Sequence, residues 1–272
     1  MALQFFQCKE RSSVCQKCVI REPNEVQRLI FSYLEKKKGR PFGLAVDVGC
    51  STGVSTRVLA EHFQQVVGID INEAQIRKAK SACSLPNVSY QVAPAEKMPF
   101  EDGSVDLITV SVAAHWFNIE TFLKESDRVL KTNGCVALYC LHPHFDLHYK
   151  DCSQSITDVF METLDILIYE QGSETIKKFQ YEYKDIFDVV PYADKIRITN
   201  IVSESSMSVA ALMRFLESLF MFQSLFVDDP EFAKEFMKRL QERLLKIMGA
   251  SSSDTELKVR NNYFCILACK SA

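Results

Sequence analysis

Between residues 44 and 141 the chain alternates short apolar runs with stretches in which apolar residues return every third or fourth position. Leu44, Ala45, Val46 and Val48 form one such run, the pattern of a strand buried on both faces. Val54, Val58, Leu59 and Phe63 then recur at helical spacing, which predicts a helix from Val54 to Phe63. Val66, Val67, Gly68 and Ile69 make a second buried strand that ends at Asp70. A polar-faced helix follows in NEAQIRKAKSAC with Asn72 as its N-cap, and residues 87–92 alternate as a third strand. A fourth strand from Val105 to Val110, a helix from Glu120 to Leu130, a Thr132-Asn133-Gly134 turn and a fifth strand from Cys135 to Leu141 complete the series. Strands and helices in this rhythm predict an α/β fold built on a largely parallel sheet.

Upstream, Val26, Leu29, Ile30, Tyr33 and Leu34 share one face of a helix from Asn24 to Lys38, whose basic end at Lys36, Lys37 and Lys38 suits a C-terminus. From His142 the rhythm changes. HPHFDLHYK reads as a histidine-rich loop, Ile156 to Tyr169 as an amphipathic helix, 173–194 as irregular, and Lys195 to Val202 as a strand. Two further helices are expected from Val209 to Phe226 and from Glu231 to Met248, then a small-residue turn and a closing strand from Tyr263 to Ala268. The Phe-rich first helix is apolar nearly all round, which favours a place in the core over the lining of a pocket.

The first strand–helix–strand unit carries the chemistry. Asp47 stands at the exit of the strand, the turn Gly49-Cys50-Ser51-Thr52-Gly53 follows, and Asp70 closes the second strand. Glycines let backbone approach a ligand, and a carboxylate at that strand end can accept both hydroxyl protons of a ribose. A pyrophosphate site wants G-x-G-x-x-G. Here the third glycine is missing, and a carboxylate two residues before the first glycine would repel a pyrophosphate but could attract the ammonium of an amino-acid-bearing nucleoside.

The stretch resembles motif I of class I S-adenosylmethionine (SAM)-dependent methyltransferases, D-x-G-x-G-x-G, with Ser51 where that family has glycine. Serine is small enough to be tolerated there, at the cost of strain if its φ is positive. The resemblance covers residues 40–141 and the NYFCILA strand. The segments VDVGCSTG, APAEKMPFEDGSVDLITVSVAAHWF and KTNGCVALY are together similar to the trans-aconitate methyltransferase-like branch of small-molecule enzymes. It implies a Rossmann-like, seven-stranded, mostly parallel sheet with helices on both faces and a helical cap in the C-terminal half. It implies a single domain over 1–272: a cofactor-binding core at 24–141, a cap and acceptor region at 142–255, and a closing strand at 256–272. In that resemblance Asp47, Gly49 and Gly53 hold the methionine part of SAM and Asp70 the ribose. Glu96 lies on the adenine side, and Ser51, Ile71, Ala95 and Ser111 complete the cofactor set; the product is S-adenosylhomocysteine. Glu96 reads equally well as a solvated loop acid.

His115 and Trp116, delivered by the end of the fourth strand, would border the acceptor. A carboxylate acceptor needs no base, whereas a hydroxyl or amine does; His115 then serves either as that base or as a positioning group. Arg197 and Arg214 are candidate carboxylate anchors.

The net charge of −3 does not favour nucleic acid as partner, and no apolar run reaches the length of a membrane span. The N-terminal residues lack a secretory pattern, so ten cysteines are expected as thiols in the cytoplasm. Cys15-Gln16-Lys17-Cys18 with Cys8 lacks a second pair for zinc, and Pro143 breaks the array of His142, His144 and His148; no metal is expected. A nicotinamide oxidoreductase is disfavoured by the glycine pattern, leaving a non-catalytic nucleoside-binding module and a protein or RNA methylase as rivals. The oligomeric state is not legible.

Overall fold

The computed structural model describes residues 24–171 and 181–271, so Cys8, Cys15 and Cys18 fall outside the described residues. Helix α1 (Asn24–Lys38) leads into β1 (Phe42–Val48), α2 (Val54–Val58), β2 (Phe63–Asp70), α3 (Glu73–Ser81), β3 (Val88–Val92), β4 (Val105–Ser111), α4 (Ile119–Val129) and β5 (Leu130–His148). The second half runs α5 (Ser153–Gln171), α6 (Lys184–Val189), β6 (Asp194–Ser208), α7 (Val209–Ser218), α8 (Phe220–Asp228), α9 (Pro230–Met248) and β7 (Glu256–Cys269). The strands form one sheet in the order β3-β2-β1-β4-β5-β7-β6. β3, β2, β1, β4 and β5 run parallel, and β7 enters antiparallel between β5 and β6.

Strand period decides the layers. On β1, Ala45 faces the cluster under α1 with Leu34, Phe63, Leu107 and Leu267, whereas Val46 and Val48 face the opposite cluster with Phe122, Leu138, Ile186 and Ile266. A third cluster lies beyond the parallel core. There the long tails of β5 and β7 supply Phe145, Leu147, Leu257 and Val259, and α5, α7, α8 and α9 pack on them. The C-terminal helices therefore sit on an extension of the sheet.

One buried acid fastens the base of the sheet. Asp106, at the start of β4, accepts the N–H groups of Gly43 (2.8 Å) and Leu44 (2.9 Å) from β1 and pairs with Lys38 (2.6 Å) and Lys131 (3.0 Å). Burial pushes its pKa up, but the two ammonium groups and the Leu44 N–H outweigh it and hold the carboxyl below its ordinary range.

Several elements differ from the sequence reading. In the stretch 173–194, expected as irregular, residues 173–180 lie outside the described residues and Lys184–Val189 form α6, while the closing strand starts at Glu256 instead of Tyr263. The helix after the glycine turn stops at Val58 and a single 3-10 turn follows, because Phe63 is drawn into β2 beside Phe42, ring centroids 5.3 Å apart. Thr132-Asn133-Gly134 lies within β5, whose residues 130–148 run on through the histidine-rich segment expected as loop. Phe145 and Leu147 point into the core while His144 and His148 are exposed, so the period of two was present in the sequence. The strand expected from Lys195 to Val202 extends to Ser208 on the same β7 template. Finally, the Phe-rich helix breaks at Leu219, whose extended backbone redirects α8 so that Phe222 joins Phe215 and Leu216 in one core.

Candidate functional site

The glycine turn sits at the C-terminal end of β1 between β2 and β4, where an open α/β sheet leaves a crevice. Gly49 and Cys50 donate their N–H groups to Ile69 O at 2.8 and 3.0 Å, and Gly53 N–H closes on Cys50 O at 2.8 Å. Three turn residues are left-handed: Gly49 (φ 73°), Ser51 (φ 50°) and Gly53 (φ 74°). A side chain at Gly49 would meet Ala113 Cβ at 2.7 Å, and one at Gly53 would enter the Tyr90 ring. The turn is therefore pressed against the segment after β4 on one side and against β3 on the other.

Ser51 is the departure from an all-glycine pattern, and its backbone explains the choice that remains. Its N–H donates to Asp70 Oδ2 at 2.8 Å, while Asn72 N–H donates to Asp70 Oδ1 at 2.8 Å. Asp70 is thus held at the end of β2 by two backbone donors. Burial raises its pKa above the ordinary value against the pull of those two N–H groups. Asn72 also caps α3, accepting from Ala74 and Gln75 N–H at 2.9 and 3.2 Å.

Asp47 is 1% exposed, and its oxygens accept hydroxyls from Thr56 (2.6 Å) and Thr109 (2.9 Å). These two bonds tie α2 and β4 to the floor of the turn. Glu96 Oε1 accepts Asn118 N–H at 2.8 Å, which ties its loop to the start of α4, and Ala95 beside it is buried. Ile71, the residue after Asp70, is 45% exposed, a large apolar side chain at the mouth of the crevice. Ser111 ends β4, and Val112 turns left-handed (φ 52°) beyond it.

His115 and Trp116 stand in a 3-10 turn just after β4, ring centroids 5.1 Å apart, with His115 buried and Trp116 half-buried. His115 Nδ1 lies 2.6 Å from Tyr183 Oη, a contact between residues 68 positions apart. A Cβ at Gly49 would meet Ala113 and Phe117, which places this segment beside the glycine turn.

The two arginines divide. Arg197, on β6, bonds the carbonyl oxygen and the carboxylate of Glu182 at 3.2 and 3.1 Å, so it braces the residue before Tyr183. Arg214 lies exposed on α7, in the helical layer, where it acts on Glu217. The structure does not bring Arg214 to the residues above. Among the described residues no cluster of His, Cys, Asp or Glu could hold a metal ion, and His144 faces Asp146 on the outer side of β5. No helix among them is long and apolar enough to cross a membrane.

The sequence reading missed Thr56, Thr109, Tyr90 and Tyr183. Thr109 was signalled as a lone hydroxyl within the buried VDLITV run; Tyr183 had no local signal at all.

Residues 46–138 match the family described as a methyltransferase domain. A Dictyostelium discoideum protein classed as a methyltransferase is 39% identical over 116 residues, 43% of this chain and 41% of its own length. The chain spans about two fifths of the length of the curated relatives it matches first. The O-methyltransferase resE of Aspergillus sclerotiorum is 28% identical over 64% of this chain and 71% of its own. A solved structure from Anaeromyxobacter dehalogenans, classed as a type II methyltransferase, superposes with a TM-score of 0.67 at 22% identity, covering 90% of this chain and 96% of that one. That likeness establishes the fold, a seven-stranded mostly parallel α/β sheet.

Proposed function

We propose that this chain is a SAM-dependent methyltransferase, with S-adenosylhomocysteine as its product. The observation that carries the reading is the Ser51–Asp70 lock: a left-handed glycine turn hydrogen-bonded to a half-buried carboxylate at adjacent strand ends, inside the stretch that matches the methyltransferase domain. The fit to a nucleoside is physical. Gly49 and Gly53 keep Cβ atoms out of the turn, Asp70 offers acceptor oxygens to ribose hydroxyls, and Ile71 and Ala95 supply apolar surface for an adenine.

When bound, the cofactor supplies an already activated methyl group on a sulfonium. The chain's own contribution is then alignment, which by itself can contribute about 7–11 kcal/mol to such a displacement. Asp47 places negative charge beneath the methionine end, Glu96 and Ser111 flank the crevice, and His115 and Trp116 border the acceptor side. Our reading takes residues 24–141 as the cofactor core, 142–255 as cap and acceptor region, and 256–272 as the closing strand.

For the acceptor we favour a small molecule carrying a carboxylate, as in the trans-aconitate methyltransferase-like branch. Two features support it: the HWF segment after β4, and an acidic chain whose net charge of −3 offers no general attraction to RNA. Arg197 can serve such a carboxylate only with the nitrogens that Glu182 leaves it. The described cysteines are free thiols, which suits a reducing compartment, and our reading is a cytoplasmic protein.

Titration calorimetry with SAM, S-adenosylhomocysteine and NAD tests the cofactor. Micromolar binding of both sulfur nucleosides, lost in Asp70→Ala, is the expected result; binding of NAD alone, or of none, overturns it. Incubation with methyl-labelled SAM and a metabolite extract then tests the acceptor, where label in protein or RNA instead of small acids would redirect that half of the reading.

A further inference from the structure

Tyr90 stands on β3, and its side chain crosses the neighbouring strand to reach the glycine turn. It pairs in register with Gly68 of β2, which pairs in turn with Asp47 of β1. A Cβ at Gly68 would meet the Tyr90 ring at 2.7 and 2.9 Å and Cys50 Sγ at 2.9 Å. A Cβ at Gly53 would enter the other end of the ring, at its Cε1, Cζ and hydroxyl. One ring thus lies over two glycines from separate segments. Gly53 also has a positive φ that favours glycine, but Gly68 does not. At Gly68 the absence of a Cβ serves the close approach of the ring and of the turn.

Packing alone does not call for a tyrosine. A phenylalanine would fill the same cluster with Cys50, Ile76 and Ala79. Tyr90 is 4% exposed, and a buried phenol O–H needs an acceptor. It donates to Gly53 O at 3.3 Å, and because a carbonyl can only accept, the groups themselves fix the direction of this bond. Gly53 O also accepts the Arg57 N–H at 3.2 Å, the first helical bond of α2. Gly53 is the N-cap of that helix and has no side chain with which to hold the position. The preceding carbonyl, Thr52 O, accepts from Arg57 Nη1 at 3.0 Å. A trans peptide sets its N–H opposite its C=O, so holding these two oxygens holds the planes of both peptides that close the turn.

We infer that Tyr90 is a positioning residue: from β3 it sets the shape of the glycine turn, and through the turn the affinity for the cofactor. This rests on the proposed SAM site and deepens it. The turn is bounded by Ala113 and Phe117 on the β4 side and by Tyr90 on the β3 side. Its Ser51 end is tied to Asp70, and its Gly53 end is tied to Tyr90. Loss of the phenol hydroxyl therefore loosens one end of the turn while the ring still fills the core.

Tyr90→Phe in the full-length protein tests the bond without emptying the core. Titration calorimetry should find S-adenosylhomocysteine bound about fivefold more weakly, the equivalent of one hydrogen bond. Amide exchange followed by NMR should quicken at Gly53, whose N–H closes the turn on Cys50 O, by more than it does in β4. Gly68→Ala keeps the hydroxyl but displaces the ring, so it too should weaken binding. In the double variant the combined loss should be smaller than the sum, because both changes act on one contact. Unchanged affinity in Tyr90→Phe, or unchanged exchange at Gly53, overturns the inference. So does an equal rise at Gly53 and in β4, the mark of a general loss of stability, and so do losses that add in full. If the wild type itself does not bind S-adenosylhomocysteine, the cofactor reading falls, and exchange at Gly53 still decides whether Tyr90 holds the turn.

Discussion

Ser51 donates its backbone N–H to the Asp70 carboxylate at 2.8 Å, joining a left-handed turn residue to the end of the neighbouring strand. The bond belongs to the backbone, so the side chain at position 51 is open to change while the N–H is not. Ser51→Gly relieves about 1 kcal/mol of left-handed strain and adds a similar entropy to the unfolded chain, leaving stability within about 1 kcal/mol. Ser51→Pro removes the donor and forbids the positive φ. Calorimetry should find S-adenosylhomocysteine binding kept in Ser51→Gly and lost in Ser51→Pro; equal binding by both would refute the lock.

Asp70 gives a pH dependence with a fixed sign. Its folded pKa is raised by burial, so acidification protonates it earlier than an ordinary carboxyl, and a neutral acid is the poorer acceptor for ribose hydroxyls. Cofactor affinity should therefore weaken as pH falls through that raised value. In Asp70→Asn, affinity at neutral pH drops about tenfold or more and this slope disappears. Titrations at a series of pH values check both.

Gly53 and Gly103 share a positive φ but differ in their surroundings. A Cβ at Gly53 runs into the Tyr90 ring, whereas one at Gly103 has nothing within 4 Å. Gly53→Ala is expected to cost about 2–4 kcal/mol, strain plus overpacking, and Gly103→Ala about 1–2 kcal/mol, strain alone. Urea denaturation of the two variants measures the difference, and similar losses would mean that Tyr90 yields freely.

Asp106 links β1, β4, Lys38 and Lys131. Asp106→Asn should destabilise the fold by about 2–4 kcal/mol at neutral pH, because two ammonium groups lose their counter-charge. The folded carboxyl titrates below its ordinary range, so its contribution is complete above that range and is lost as pH falls through the lowered folded value. The gap between wild type and variant should narrow on acidification. A gap independent of pH would assign the loss to packing.

The chain sequence determined the α/β order, the five strands from Leu44 to Leu141, the glycine turn and the Asp70 strand end, because each is written in residues a few positions apart. Strand period, helical period and the positive φ of glycine are local properties, and a sheet buried on both faces leaves little freedom in how they combine. The histidine-rich stretch shows where local reading stopped: its alternation was present, but only pairing with β7 made it a strand. The helix expected from Val209 to Phe226 shows the same thing, since its break at Leu219 serves a core assembled from four separate helices. The tertiary structure alone decided that Asp47 would be held by Thr56 and Thr109, that Arg197 would brace Glu182 while Arg214 stayed in the helical layer, and that Tyr183 would meet His115. Those partners lie from 9 to 68 residues apart. No periodicity encodes such distances; they follow from the packing of buried faces, which brings polar groups together and leaves each to find a donor or acceptor there.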